Sequence, residues 1–273
     1  MSVIKRTDLK YNFLKNIIVR MDFQGVFEPE MEKLLPLIKP YLKLKNFSRY
    51  ERKKSNQIEI NVSNIDSQQP SFGKVQSQDV HSFINEDKGY VLDVSNSFVC
   101  LNISSTGYSP FEDYSVLVSE IAEIYKQNID FFTVTRVGIR KINVCMIEDK
   151  KRIREFFSQD YFGYFAAIDG INTHLSNRRD TFSIDDYKGN LSCNIEQGSS
   201  GDRVLYKLDL DIDIYVDDID IISEATFNAD KLKEMNDVLF DIYVKALTEE
   251  FKNALAGDDE SKFDGLIGVE RNE

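Results

Sequence analysis

The chain has 273 residues, 46 Asp and Glu against 34 Lys and Arg, a formal net charge of −12, 42% hydrophobic residues and a mean hydropathy of −0.36. That composition is too apolar for a disordered chain, and the length allows one large domain or two small ones with a real core. No run approaches the roughly 18 apolar residues of a membrane span, and the start Met1 to Arg6 lacks the apolar stretch and cleavage site of a secretion signal, so a cytoplasmic protein away from the membrane is expected.

Residues 13–23 alternate, with Ile17, Val19, Met21 and Phe23 against Ile18, Arg20 and Asp22, and predict a strand. Glu28-Pro29-Glu30 then suits a helix start, and Met31, Leu34, Leu35, Ile38 and Leu42 follow at helical spacing. Pro36 and Pro40 predict that this helix is short or kinked. A strand is expected around 58–62, a polar loop over 63–73, a hairpin from 90–94 and 98–103 about Ser95-Asn96-Ser97, and a helix from Pro110 to Gln127.

The pattern then restarts. Residues 132–147 read as a long alternating strand, 150–157 as a short helix, and 161–171 as aromatic and strand-like. Strands over 181–184 and 191–195 flank a turn at 186–190, and 204–216 is a further strand. Asn228-Ala229-Asp230 caps a helix to about Ala256. The expected fold class is α+β: two similar β-α-(β)n-α halves, 1–130 and 131–257, forming an antiparallel sheet covered by long helices, with 258–273 an acidic flexible tail.

Charge is uneven along this layout. Residues 1–55 carry 13 Lys and Arg against 6 Asp and Glu, residues 56–200 carry 13 against 20, and residues 201–273 carry 8 against 20. Three candidate sites follow. Arg136 and Arg140 share one face of the strand over 132–147, about 13 Å apart by the usual rise, with Asn143 on the other face. They form either an anion site or cross-strand ion pairs, with Gly138 relieving crowding. Asp209, Asp211 and Asp213 share one face of the strand over 204–216, while Leu208, Leu210, Ile212 and Ile214 take the other. Those carboxylates suit solvent, a basic protein partner or, more remotely, a hard cation. The basic stretch Arg49, Arg52, Lys53 and Lys54, after Lys39, Lys43 and Lys45, could meet phosphates, although a net charge of −12 repels nucleic acid.

Catalytic signals are sparse. The chain has three widely spaced cysteines, Cys100, Cys145 and Cys193, with no CxxC, so buried apolar thiols are expected rather than a disulfide or zinc knuckle. Its two histidines, His81 and His174, stand in loop-like sequence, and no phosphate-loop, dinucleotide, zinc-protease or nucleophile-elbow motif is present.

Residues 135–144, Thr-Arg-Val-Gly-Ile-Arg-Lys-Ile-Asn-Val, resemble the Arg-x-Gly-Leu-Arg-Tyr-x-Asn signature of a sporadically distributed prokaryotic family of unassigned function. Leu101 to Tyr108, Phe111 to Tyr114 and the strand through Asp213 fit the same pattern. Lys141 stands where the family has an aromatic, and the family's Pro-Pro-x-x-Glu before the first strand is absent. The resemblance implies a shared fold and a defence or toxin–antitoxin neighbourhood.

The leading expectation is a non-catalytic cytoplasmic protein-binding component without a cofactor, its partner offering a basic surface, with homo-oligomers also open. A nucleic-acid or nucleotide-responsive protein using Arg136, Arg140 and the basic corner is second. A metal-dependent hydrolase using the Asp row is third.

Overall fold

The computed structural model describes residues 4–61, 71–104, 111–163, 174–218, 222 and 229–272, with the side chains of 55–61 and 71–77 left out of the description. Alternation makes the strands, and they are longer than the sequence pattern implies. In chain order they are β1 (Tyr11–Asn12), β2 (Leu14–Gln24), β3 (Arg49–Asn61), β4 (Ser71–Asn85), β5 (Tyr90–Val94), β6 (Phe98–Ser104), β7 (Thr133–Ile147), β8 (Leu175–Ile184), β9 (Tyr187–Ser200), β10 (Arg203–Val216), β11 (Leu266–Ile267) and β12 (Glu270–Arg271). The helices are α1 (Glu28–Leu44), α2 (Phe111–Asn128), α3 (Lys151–Phe156), α4 (Gln159–Phe162), α5 (Ala229–Lys245) and α6 (Glu249–Ala256). The fold class is α+β.

Among the described residues the large sheet is antiparallel, in the order β3-β4-β5-β6-β2-β7-β10-β9-β8, with β11 also paired to β7. The seam between the first and second half of the chain is the β2–β7 pair, from Leu14 opposite Asn143 to Gln24 opposite Thr133. β7 is therefore central in the sheet. Val137 and Ile139 are buried, while Val144 lies on the other face and is only half-buried.

One face of the sheet builds the core. Ile17, Val19 and Met21 of β2, Leu92 of β5, Leu101 of β6, Ile139 of β7 and Leu210 and Ile212 of β10 are all inaccessible. α5 packs on β10 and β7, α2 packs on β6, and α1 and α5 both pack against α2. The apolar stripes Met31, Leu34, Ile38 and Leu42 of α1 and Leu117, Val118, Ile121 and Tyr125 of α2 face inward, as helical spacing dictates. α1 runs its full 17 residues through Pro36 and Pro40, longer than a proline-broken helix would be.

Several expectations change. His81 is buried in β4, its Nδ1 2.8 Å from Tyr50 Oη, because β4 begins at Ser71. Ser71 to Gly73 are accordingly strand rather than loop, and 62–70 lie outside the described residues. Tyr161 and Phe162 are helical, capped by the Ser158 hydroxyl, and 164–173 lie outside the described residues. The second hairpin turns at Asp185-Asp186, with Asp185 at φ 50°, so 187–190 belong to β9. β9 also runs past the expected end at 195, with Gly198 to Ser200 opposite Leu205 to Arg203. The long last helix is two helices, since the Thr248 side chain caps a new start.

The acidic tail is not frayed. Leu266 and Ile267 pair with Ile147 and Met146, and Arg271 and Glu270 pair with Tyr11 and Asn12. Asn272 completes the closure, its backbone N–H donating to the Lys10 carbonyl and its side-chain amide to the Leu9 carbonyl. The two ends of the chain thus strap each other over the end of the seam.

Candidate functional site

Arg136, Arg140 and the Asp row meet on the sheet face opposite the core residues, and they neutralise one another. Asp22 of β2 stands opposite Arg136 of β7, while Asp213 of β10 stands opposite both Arg140 of β7 and Asn190 of β9, so the Arg–Asp pairs run diagonally across the sheet. Arg20 Nε donates to Asp22 at 2.8 Å. Arg136 Nη2 donates to Asp213 at 3.0 Å, and its Nη1 lies 3.7 Å from Asp22. Asn190 donates to Asp213 at 3.4 Å. Arg140 likewise reaches diagonally to Asp211, through both Nε at 2.8 Å and Nη2 at 2.5 Å, and Lys207 reaches Asp209 at 3.1 Å. The side chains of Asp209, Asp211 and Asp213 are each only 20% exposed. Burial pushes the Asp213 carboxyl above its ordinary range, against the pull of Arg136, Asn190 and Arg140.

Gly138 explains the packing of this ladder. It lies opposite Tyr215, whose ring sits 4.4 Å beneath the Arg136 guanidinium. A Cβ at Gly138 would stand 3.1 Å from Tyr215 Cβ and 3.4 Å from Arg136 Nη2. The Arg-x-Gly-x-Arg spacing is thus met by cross-strand ion pairs, and the Asp row no longer requires an outside cation or basic partner to be satisfied. Among the described residues no group of three His, Cys, Asp or Glu could hold a metal ion.

The basic corner is divided between the two faces. Arg52 pairs with Asp79 on the side of Tyr50 and His81, beside α1. Arg49 and Lys53, one residue out of phase, both reach Glu51 on the other side, and Arg49 also reaches Glu86. No single basic surface results, because alternation along β3 sends neighbouring cations apart. Cys100, Cys145 and Cys193 are buried free thiols. Burial pushes Cys100 up to about 11 and Cys193 up to about 12, and raises Cys145 as well, so all three are poor nucleophiles.

The most distinctive chemistry lies on the core side of the seam, where sequence reasoning placed only Asn143. A cavity of about 480 Å³ opens there. Lys141 and Asn143 of β7 and Ile212 of β10 form its floor, and Phe111 and Glu112 of α2 and Leu239, Phe240 and Tyr243 of α5 form walls. The N-terminal segment supplies Arg6, Thr7, Leu9, Asn12 and Leu14, and the tail supplies Asn272. A register shift in β2 between Leu14 and Asn16, opposite Asn143 and Ile142, bends the strand at this point.

The polar groups here are unusual. Asn143 is spoken for, donating to the Leu210 carbonyl at 3.1 Å. Arg6 Nη2 donates to the Asn236 carbonyl at 2.9 Å and meets Asp237 at 3.0 Å, and its guanidinium lies 5.1 Å from the Phe240 ring centroid. Arg6 Nε, Tyr243 Oη and both side-chain atoms of Asn236 are buried with no hydrogen-bond partner. Lys141, half-buried on the floor, has no hydrogen bond or ion pair among the described residues. Desolvation, reinforced by repulsion from Arg6 and opposed by Asp237, pulls its pKa down from 10.5 to about 7. A desolvated cation without a counter-ion is costly, and such perturbed groups cluster at functional sites. The signal in the sequence is the inward register Val137, Ile139, Lys141, Asn143, Cys145, Ile147, where two polar residues interrupt an apolar row.

No protein-family model and no curated protein matches the chain. Among solved structures it is similar to the S. pombe Pct1 RNA triphosphatase in complex with the Spt5 CTD, at 7% identity over 88% of this chain and 90% of that one, with a TM-score of 0.14. At that TM-score the likeness carries no argument about fold or activity.

Proposed function

We propose that this is a non-catalytic binding protein whose ligand, a small molecule with an apolar body, occupies the seam cavity. The observation that carries the reading is the cavity itself. It has the volume of small-molecule sites, a mostly apolar lining and a few converging polar groups left without partners. Protonated thiols and an internally paired Arg–Asp ladder argue against nucleophilic or metal chemistry elsewhere among the described residues. The neutral fluorophore N-phenyl-1-naphthylamine is expected to bind the full chain saturably at one site. Leu14→Trp, which fills the cavity from its half-buried rim, is expected to abolish that binding while the circular dichroism spectrum stays that of the parent. Unchanged binding to a folded Leu14→Trp variant would refute the assignment.

We infer also that the chain is two copies of one β-α-(β)n-α unit, each with long helices on one sheet face. In support, β2 and β7 pair at the seam, and each is followed by a helix and flanked by the last strand of its own half, β6 or β10. The last strand of each half is followed by a long helix, α2 or α5, and these two pack together. In a crystal structure, β2, β4, β5 and β6 should superpose on β7, β8, β9 and β10. Two halves with unrelated strand paths would contradict the duplication. The buried free thiols suit a reducing, cytoplasmic setting.

A further inference from the structure

The binding assignment leaves open what kind of ligand the cavity takes, and the groups in it are not neutral about that. We propose that the seam cavity binds an amphiphilic organic anion, its carboxylate or equivalent acidic head on Lys141 and its apolar body against α5; this rests on the cavity being a ligand site.

Two unsatisfied donors line the cavity. Arg6 Nε–H and the Tyr243 hydroxyl lack partners, and the Lys141 ammonium has no hydrogen-bond or ion-pair partner among the described residues. The charged and titratable groups facing Lys141 are Arg6 from the N-terminal segment, Asp237 and Tyr243 from α5, and Glu112 from α2. None of the carboxylates is free to serve it. Asp237 is engaged by Arg6 at 3.0 Å. Glu112 is held by its own backbone N–H and by Lys233, which together lower its pKa. Burial pushes the Tyr243 hydroxyl up, so it is a neutral donor at every physiological pH. A ligand cation would be repelled by Lys141 and Arg6, and a neutral ligand would leave the ammonium desolvated and unpaired. An anion answers both, through charge-assisted hydrogen bonds in a low-dielectric site. The apolar part of the lining, Leu14, Phe111, Ile212, Leu239 and Phe240, sets the body of the ligand.

Binding should therefore be coupled to protonation. The anion stabilises the charged form of Lys141, so above neutral pH the complex takes up a proton that the free protein lacks.

The test is calorimetric titration of the full chain with three probes of equal chain length: octanoate, 1-octanol and octylamine. At pH 6.5 octanoate is expected to bind at one site, 1-octanol at least ten-fold more weakly, and octylamine not at all. At pH 8, titrations in two buffers of different ionisation enthalpy are expected to show proton uptake on octanoate binding. Lys141→Met should bring octanoate down to the 1-octanol level, and Lys141→Arg should keep most of the preference. Should Lys141→Met fail to fold, the probe series and the proton uptake on the parent protein decide alone. Octanoate and 1-octanol binding equally well would overturn the anion while leaving the cavity as a ligand site. Failure of all three probes to bind would overturn the cavity reading itself.

Discussion

Phe251→Ala is expected to destabilise the protein by about 3–5 kcal/mol, the range for removing a fully buried aromatic from a core that cannot collapse around the gap. Phe251 is inaccessible in α6. Its ring stacks on Phe156 at 4.5 Å and 18° and on Phe13 at 5.8 Å and 19°, and meets Phe157 edge-on at 5.3 Å. Phe13, just ahead of β2, in turn lies 5.3 Å from Tyr243 of α5. The Phe13–Phe251 pair therefore ties the start of the chain to α3, α5 and α6, next to Tyr243 in the wall of the seam cavity. Each such pair adds about 0.5–1.5 kcal/mol beyond area burial. Urea denaturation of parent and variant measures the difference. A change under about 1 kcal/mol would mean that α6 docks on the surface and that its burial does not join the two halves.

Lys141→Met is expected to do the opposite. It should stabilise the unliganded protein by at least about 1 kcal/mol near pH 6, because an apolar side chain of similar length replaces a desolvated charge. The pH dependence fixes the interpretation. The unfolded chain holds the Lys141 proton up to its ordinary 10.5, whereas the folded protein gives it up near 7. Between those values the unfolded state binds more protons, so the parent gains stability as pH rises. Below about 7 both states are protonated and the full cost of burying the charge is present. The advantage of the methionine should thus be greatest at pH 6 and shrink steadily towards pH 10. A loss of stability in Lys141→Met at pH 6 would show that the ammonium has a strong internal partner and is structural.

Much of this architecture is legible in the sequence, for reasons that also mark where legibility stops. Period-two alternation over 132–147 gives a central strand with Arg136 and Arg140 on one face and Asn143 on the other, and the structure keeps that split. The same rule puts Leu208, Leu210, Ile212 and Ile214 inside and the aspartates outside. Alternation says nothing about what stands across the sheet. The pairing of Asp213 with Arg136 and of Asp211 with Arg140 depends on β7 and β10 being neighbours, 70 or so residues apart in the chain, as the register shows. The basic corner failed as a patch for the same reason that strands can be read at all: Arg52 and Lys53 are adjacent in sequence and opposite in space. His81 and the tail read as loop because their polar composition resembles one, while tertiary pairing with Tyr50, β1 and β7 decides the outcome. The cavity was least visible of all, since its walls come from the N-terminal segment, α2, β7, β10, α5 and the last residues. Lys141 and Asn143 announce it, as polar residues in the inward register of the central strand.

A crystal structure of the full chain grown with octanoate tests the central claim most directly. The account predicts the fatty acid in the seam cavity, its carboxylate within hydrogen-bond distance of Lys141 Nζ and its chain against Leu239 and Phe240. An empty cavity at saturating octanoate, or a chain bound with its carboxylate turned out to solvent and away from Lys141, would contradict it.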